Sequence, residues 1–132
     1  MKTLLSLEEV AQLALAIFLI NLQPIVLPWW AWAGLFLAPD VGMLGYLAGP
    51  RIGAWCYNLF HHKTVAAAFI GAGLILPSPV WLVAGLLLWA HSSFDRVMGY
   101  GLKKESGFTD THLGSLRPSP APNAGLRKFW RA

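Results

Sequence analysis

Four apolar runs, separated by proline- and glycine-marked breaks, organise the chain. The first follows Ser6-Leu7-Glu8-Glu9, a spacing that lets Ser6 accept from the backbone N–H of Glu9 while Glu9 reaches back. It predicts a helix running to about Leu22 and stopping before Pro24. The second run, Ile25 to Ala38, carries Trp29, Trp30 and Trp32 near one end, as in an interfacial aromatic belt. Pro39-Asp40 is expected to close it, because a residue before proline is pushed out of helical geometry. Gly42, Gly45, Gly49 and Gly53 punctuate the irregular stretch that follows. Close backbone packing and a plain glycine-rich connector are both open readings there. Pro50 suits the first turn of a new helix, and helical patterning resumes from Arg51 to Leu76, interrupted at His61-His62-Lys63. Pro77-Ser78-Pro79 makes a tight turn before the last run, Val80 to about Met98. No stretch reads as a strand and no internal repeat is visible. The expected class is all-α.

Composition turns this helical pattern into a membrane one. Of 132 residues, 56% are hydrophobic and only 12% charged, about half the charge fraction usual in soluble domains. The mean hydropathy is +0.54. The expectation is an integral membrane helical bundle of about four spans, some broken or short, over residues 1–114. A Pro-rich basic cytoplasmic tail would occupy 115–132. The second run, at about 21 Å, falls short of a hydrocarbon core of about 30 Å, which points to a broken, tilted or re-entrant segment. A cleaved signal peptide is disfavoured. Glu8 and Glu9 sit where its apolar core should begin, and Asn21-Leu22-Gln23-Pro24 is a poor cleavage site.

Charge placement orients the spans. Seven of the ten cations (Arg96, Lys103, Lys104, Arg117, Arg127, Lys128 and Arg131) follow Asp95. The connections Gln23-Pro24-Ile25 and Pro77-Ser78-Pro79 carry none. Cytoplasmic Lys/Arg excess then puts both termini inside the cell's inner (plasma) membrane. The closing Arg127-Lys128-Phe129-Trp130-Arg131 suits a membrane surface or a disordered end. The expected partners are the lipid bilayer and a membrane-protein partner or a second copy of the chain; nucleic acid is not expected. The single Cys56 excludes an intramolecular disulfide and a thiolate-rich metal site.

Candidate chemistry lies in the few ionisable residues within the apolar runs, which are expensive in lipid and usually face one another or a cavity. His61 lies about 16 Å in from one end of its helix and His91 about 18 Å in from the opposite end of the next, so their depths nearly coincide. A helix break at His62-Lys63-Thr64 would match their depths as well. Ala84, Leu88, His91 and Asp95 share one helix face, and Arg51, Ala54, Asn58 and His61 another. Facing stripes would bring Asn58, His61, His91 and Asp95 within reach, with Asp110-Thr111-His112 folding back. Imidazole plus carboxylate suits a divalent metal, zinc or iron. The candidate ligands are His61, His91, Asp95 and His112, with Asp110 as a catalytic general base or a support behind the ligands. Two functions stay open: a metal-dependent membrane enzyme, or a non-enzymatic scaffold or accessory subunit in which His and Asp merely clamp helices together. Arg96 is expected to pair with Asp95, Asp40 or Glu8.

Several of these residues form a wider pattern: Leu7-Glu8, Pro39-Asp40, Met43-Leu44-Gly45-Tyr46, Gly53-Ala54, and Tyr57-Asn58 with His61. Further on come His91-x-x-x-Asp95-Arg96-x-x-Gly99-Tyr100-Gly101-Leu102-Lys103 and Phe108-x-Asp110-Thr111-His112-Leu113-Gly114. Over about Leu7 to Gly114 the chain resembles domain of unknown function 4260, a family of small bacterial membrane proteins. It departs in carrying His62-Lys63 where a threonine and an uncharged residue are expected. The resemblance implies an integral membrane protein and supplies no reaction.

Overall fold

A computed structural model describes residues 1–117, so the expected tail lies outside the described residues from position 118 onward. The fold is mostly helical. Helix α1 (Lys2–Asn21) starts at the chain's second residue, with Met1 at its N-cap and no side-chain cap. The Ser6 capping box therefore does not form, because Ser6 and Glu9 both lie inside the helix and Glu9 turns to Lys63 and Arg96.

Helix α2 (Trp29–Leu37) opens after Pro28 and continues into a 3₁₀ helix, Ala38–Ala48. Pro39 does not end the helical path, since it falls in the first turn of the 3₁₀ segment, where its missing N–H costs nothing. The stretch expected to be irregular is thus helical. Trp29–Ala48 makes 20 residues, and this segment and α1 are long and apolar enough to cross a membrane by length and composition.

Gly49, at φ +121°, supplies the left-handed turn into α3 (Pro50–His61), with Pro50 in its first turn. His62 is extended (φ −89°, ψ 117°) and separates α3 from α4 (Lys63–Ile75), whose Thr64 N–H it accepts at Nδ1 (3.2 Å). After Pro77-Ser78 comes α5 (Pro79–Val97).

Helix α5 is the hub, packed against α1 on one side and α4 on another, while α3 lies on the 3₁₀ helix. The core is small: Ala16, Leu86 and Ala90, surrounded by Leu13, Ile20, Phe36, Ile70 and Leu82. Gly85 lets α4 and α5 touch backbone to backbone, as an added Cβ would meet Ile70 N at 2.6 Å and Ala66 O at 2.8 Å. Gly42 does the same for the 3₁₀ helix against the Cys56 carbonyl, and Gly45 leaves room for the Cys56 side chain. Large apolar side chains cover the outside instead, among them Leu15, Phe18, Trp29, Trp30, Leu47 and Ile75.

The expectation of no strand is overturned after Gly101. Strands β1 (Lys103–Lys104), β2 (Gly107–Thr111) and β3 (Gly114–Ser115) form a small antiparallel sheet in that order. The sheet is too short to carry an apolar alternation and is held from outside. Asn58 of α3 brackets Lys103, accepting its N–H at 2.7 Å and donating to its carbonyl at 2.8 Å.

Candidate metal centre

Three elements converge on one point. Helix α5 presents His91 and Asp95, one turn apart on one face. The last turn of α3 presents Tyr57 and His61 on another, and the 3₁₀ helix contributes Asp40. The helix break at His62 is stabilised here: Ser92 Oγ donates to the His61 carbonyl (3.1 Å), one of the carbonyls that a helix end leaves without an internal partner. Both imidazoles are almost wholly buried, with side chains 3% and 2% exposed, whereas Asp95 is 14% and Asp40 36% exposed. The centre therefore meets its surroundings on the Asp40 side.

Hydrogen bonding settles the tautomers. His61 Nδ1 lies 2.8 Å from the Tyr57 carbonyl and His91 Nδ1 lies 2.7 Å from the Phe36 carbonyl. A carbonyl oxygen only accepts, so each Nδ1 carries its proton. Each neutral ring then has its lone pair at Nε2, and the two Nε2 atoms face each other at 3.0 Å. Two carboxylates crowd the same point. Asp40 Oδ1 is 3.4 Å from His91 Nε2 and 3.5 Å from His61 Nε2. Asp95 Oδ2 is 3.4 Å from His61 Nε2, and its Oδ1 is 3.8 Å from His91 Nε2.

Such a collection of acceptors repels itself unless something positive lies among them. The Asp40–imidazole separations of 3.4 and 3.5 Å match ligands about 2.0–2.2 Å from a tetrahedral zinc, which stand about 3.3–3.6 Å apart, whereas the two Nε2 atoms, at 3.0 Å, are closer than that spacing. One ligand atom each from Asp40, His61 and His91 all lie within 4.8 Å of one another. Tyr57 supports the group twice, donating from its hydroxyl to Asp95 Oδ2 at 2.5 Å and stacking on His61 at 3.7 Å between ring centroids. Behind Tyr57 lies the buried Lys103, with Nζ 5.1 Å from the Tyr57 ring centroid and 4.1 Å from that of Phe108. Burial pushes the Lys103 ammonium below the usual lysine range, although Asp95 pulls the other way.

His61, His91 and Asp95 are thus together. Asn58, expected in the same group, is occupied with the Lys103 backbone. His112 and Asp110 sit in the hairpin, apart from the cluster. His112 Nδ1 accepts the Leu102 N–H (2.8 Å), and Asp110 accepts from Ser106 Oγ (2.9 Å). Arg96 pairs with Glu9 at 3.4 Å, not with Asp95, Asp40 or Glu8. Sequence reasoning missed Asp40 and Tyr57 as members. Tyr57 could have been found from its position one turn before His61, and Asp40 from the scarcity of carboxylates in an apolar run.

The fold and the cluster define a class: a small, mostly helical chain with two helices apolar enough to cross a membrane and a buried His/Asp cluster. Within it, the chain belongs to the family described as Domain of unknown function (DUF4260), whose model matches residues 2–116. No curated protein and no solved structure matches the chain.

Proposed function

We propose that this chain is an integral membrane protein holding a divalent metal ion, zinc by preference, between His61, His91 and Asp40, and that it acts as a metal-dependent membrane enzyme. The observation that carries the reading is the pair of Nε2 lone pairs facing each other at 3.0 Å, with both Nδ1 protons committed to backbone carbonyls. Imidazole and carboxylate donors suit zinc. Asp95, held by Tyr57, is a fourth ligand or the base beside a metal-bound water; the ion would lower that water's pKa and make it a nucleophile for hydrolysis.

In this reading α1 and Trp29–Ala48 cross, α4, at 13 residues, is a short span paired with α5, and the amphipathic α3 lies at the inner boundary with the hairpin. Glu9, Lys63 and Arg96 are drawn from three of these spans, and Glu9 accepts from both cations at one level. The connections at the other end, 22–28 and 76–78, contain no charged residue. Both termini are then cytoplasmic, and the centre lies near the inner surface.

Elemental analysis of protein purified without chelator tests the function. About one zinc, iron or manganese per chain supports it, and well under stoichiometric metal overturns it. One observation favours a second reading: 3.0 Å is also the length of an N–H···N hydrogen bond, so a proton shared by the imidazoles would make the cluster a helix clamp. A metal-free protein whose melting temperature falls in His91→Ala would establish the clamp instead.

A further inference from the structure

An apolar groove of about 360 Å³ begins beside the centre. It is lined by neighbours of the proposed ligands on three elements: Pro39 before Asp40, Phe60 before His61, and Leu87 and Leu88 one turn before His91. From there it follows α4 and α5 past Phe69 to Ala84, about 10 Å farther from His91 along the helix. None of its lining residues is charged or carries a polar side chain. The donor closest to open surroundings, Asp40, adjoins this groove through Pro39.

None of the donors itself lines the groove, but their chain neighbours do, and a polar centre flanked by a wholly apolar groove is shaped for a molecule of the same polarity. We propose that the substrate is a membrane amphiphile that presents an oxygen donor to the metal ion while its acyl chain lies in the groove that α2 and the 3₁₀ helix form with α3, α4 and α5. This inference rests on the metal reading above and adds the substrate class to it. The groove's volume is in the range of small-molecule sites, and burying successive methylenes there would set chain-length preference. A short water-soluble molecule with the same polar group would reach the ion but leave the groove unfilled.

The experiment uses the full chain in dodecyl maltoside, loaded with Mn²⁺, and compares palmitate with propionate, each ¹³C-labelled at the carboxyl carbon. Binding of zinc and of manganese is measured first; a wild-type protein that takes up neither overturns the metal reading, and this inference with it. If zinc alone binds, the same half-saturations are read from the ¹³C shift of the probe carboxyl. With manganese bound, both probes should show a ¹³C coupling to the ion by electron–nuclear double resonance. Palmitate should half-saturate at a concentration at least about tenfold lower than propionate. Phe69→Trp and, independently, Ala84→Phe fill the groove at the end away from the donors. Each should keep its manganese and cut the palmitate advantage to about twofold or less. Equal half-saturation by the two probes in the wild type overturns the groove assignment while leaving the metal centre standing. So does an undiminished palmitate advantage in both groove-filled proteins, which would assign the preference to the micelle.

Discussion

Two polar clusters share helix α5, and they are built on opposite principles. In the first, Glu9 of α1 receives Lys63 of α4 at 2.5 Å and Arg96 of α5 at 3.4 Å. Gln12 accepts from Lys63 and from Trp89 Nε1, the latter at 3.1 Å. Every acceptor there has a donor, so the cluster is complete without a ligand. The second cluster collects acceptors on acceptors: two Nε2 atoms and two carboxylates, with the Tyr57 hydroxyl as a donor to one of them. Completeness marks the first as the tie that joins α1, α4 and α5. The surplus of acceptors in the second is what the proposed cation would balance.

The largest expected difference between the clusters is in metal content. His61→Ala and His91→Ala should each lose more than about 90% of the bound ion, measured by elemental analysis, because each removes a ligand from a small set. Lys63→Met should keep the ion. It leaves Glu9 with only its longer Arg96 contact and should lower stability in detergent by about 2–4 kcal/mol, read by thermal melting. Loss of the ion with Lys63→Met and its retention with His61→Ala would reverse the two roles. A smaller effect is expected from Tyr57→Phe, which deletes the donor to Asp95 but keeps the stack on His61. Its metal affinity should fall about tenfold, measured by competition with a chelator, with little change in melting temperature.

The smallest effect belongs to the hairpin that buttresses Tyr57. Burial holds the His112 imidazole below the ordinary value of 6.5, and Arg96 and Lys104 act in the same direction. With the folded value lower, the unfolded chain binds more protons between the two values, so folded stability falls as pH drops through that window. Protonating Nδ1 also removes the acceptor for the Leu102 N–H. The hydrogen-exchange protection of Leu102 should therefore fall on acidification below pH 6.5; protection independent of pH would show that this histidine does not hold the turn.

The contrast also explains what could be read from residues alone. Prolines and apolar length locate the start of α5 at Pro79 and the start of α3 at Pro50, and the His61-His62-Lys63 interruption marks the break between α3 and α4. Matching depth and helical spacing bring His61, His91 and Asp95 into one neighbourhood, since both are properties of single helices. Asp40 escapes such reasoning. Its direction depends on a 3₁₀ path through Pro39, Gly42 and Gly45, a stretch whose local signals read equally as a connector. The hairpin escapes for a related reason, because its two-residue strands are held by Asn58 from a distant helix. Glu9 looks like a capping residue by spacing, but Lys63, more than fifty positions away, takes its carboxylate.

The central claim is that a cation joins the two imidazoles, and X-ray absorption at the zinc edge of the purified chain tests it most directly. Two imidazole nitrogens and oxygen donors at about 2.0–2.2 Å are predicted, with outer-shell imidazole scattering in the wild type and the zinc itself lost in His61→Ala. A spectrum of oxygen donors alone, with the zinc retained in His61→Ala, would contradict it.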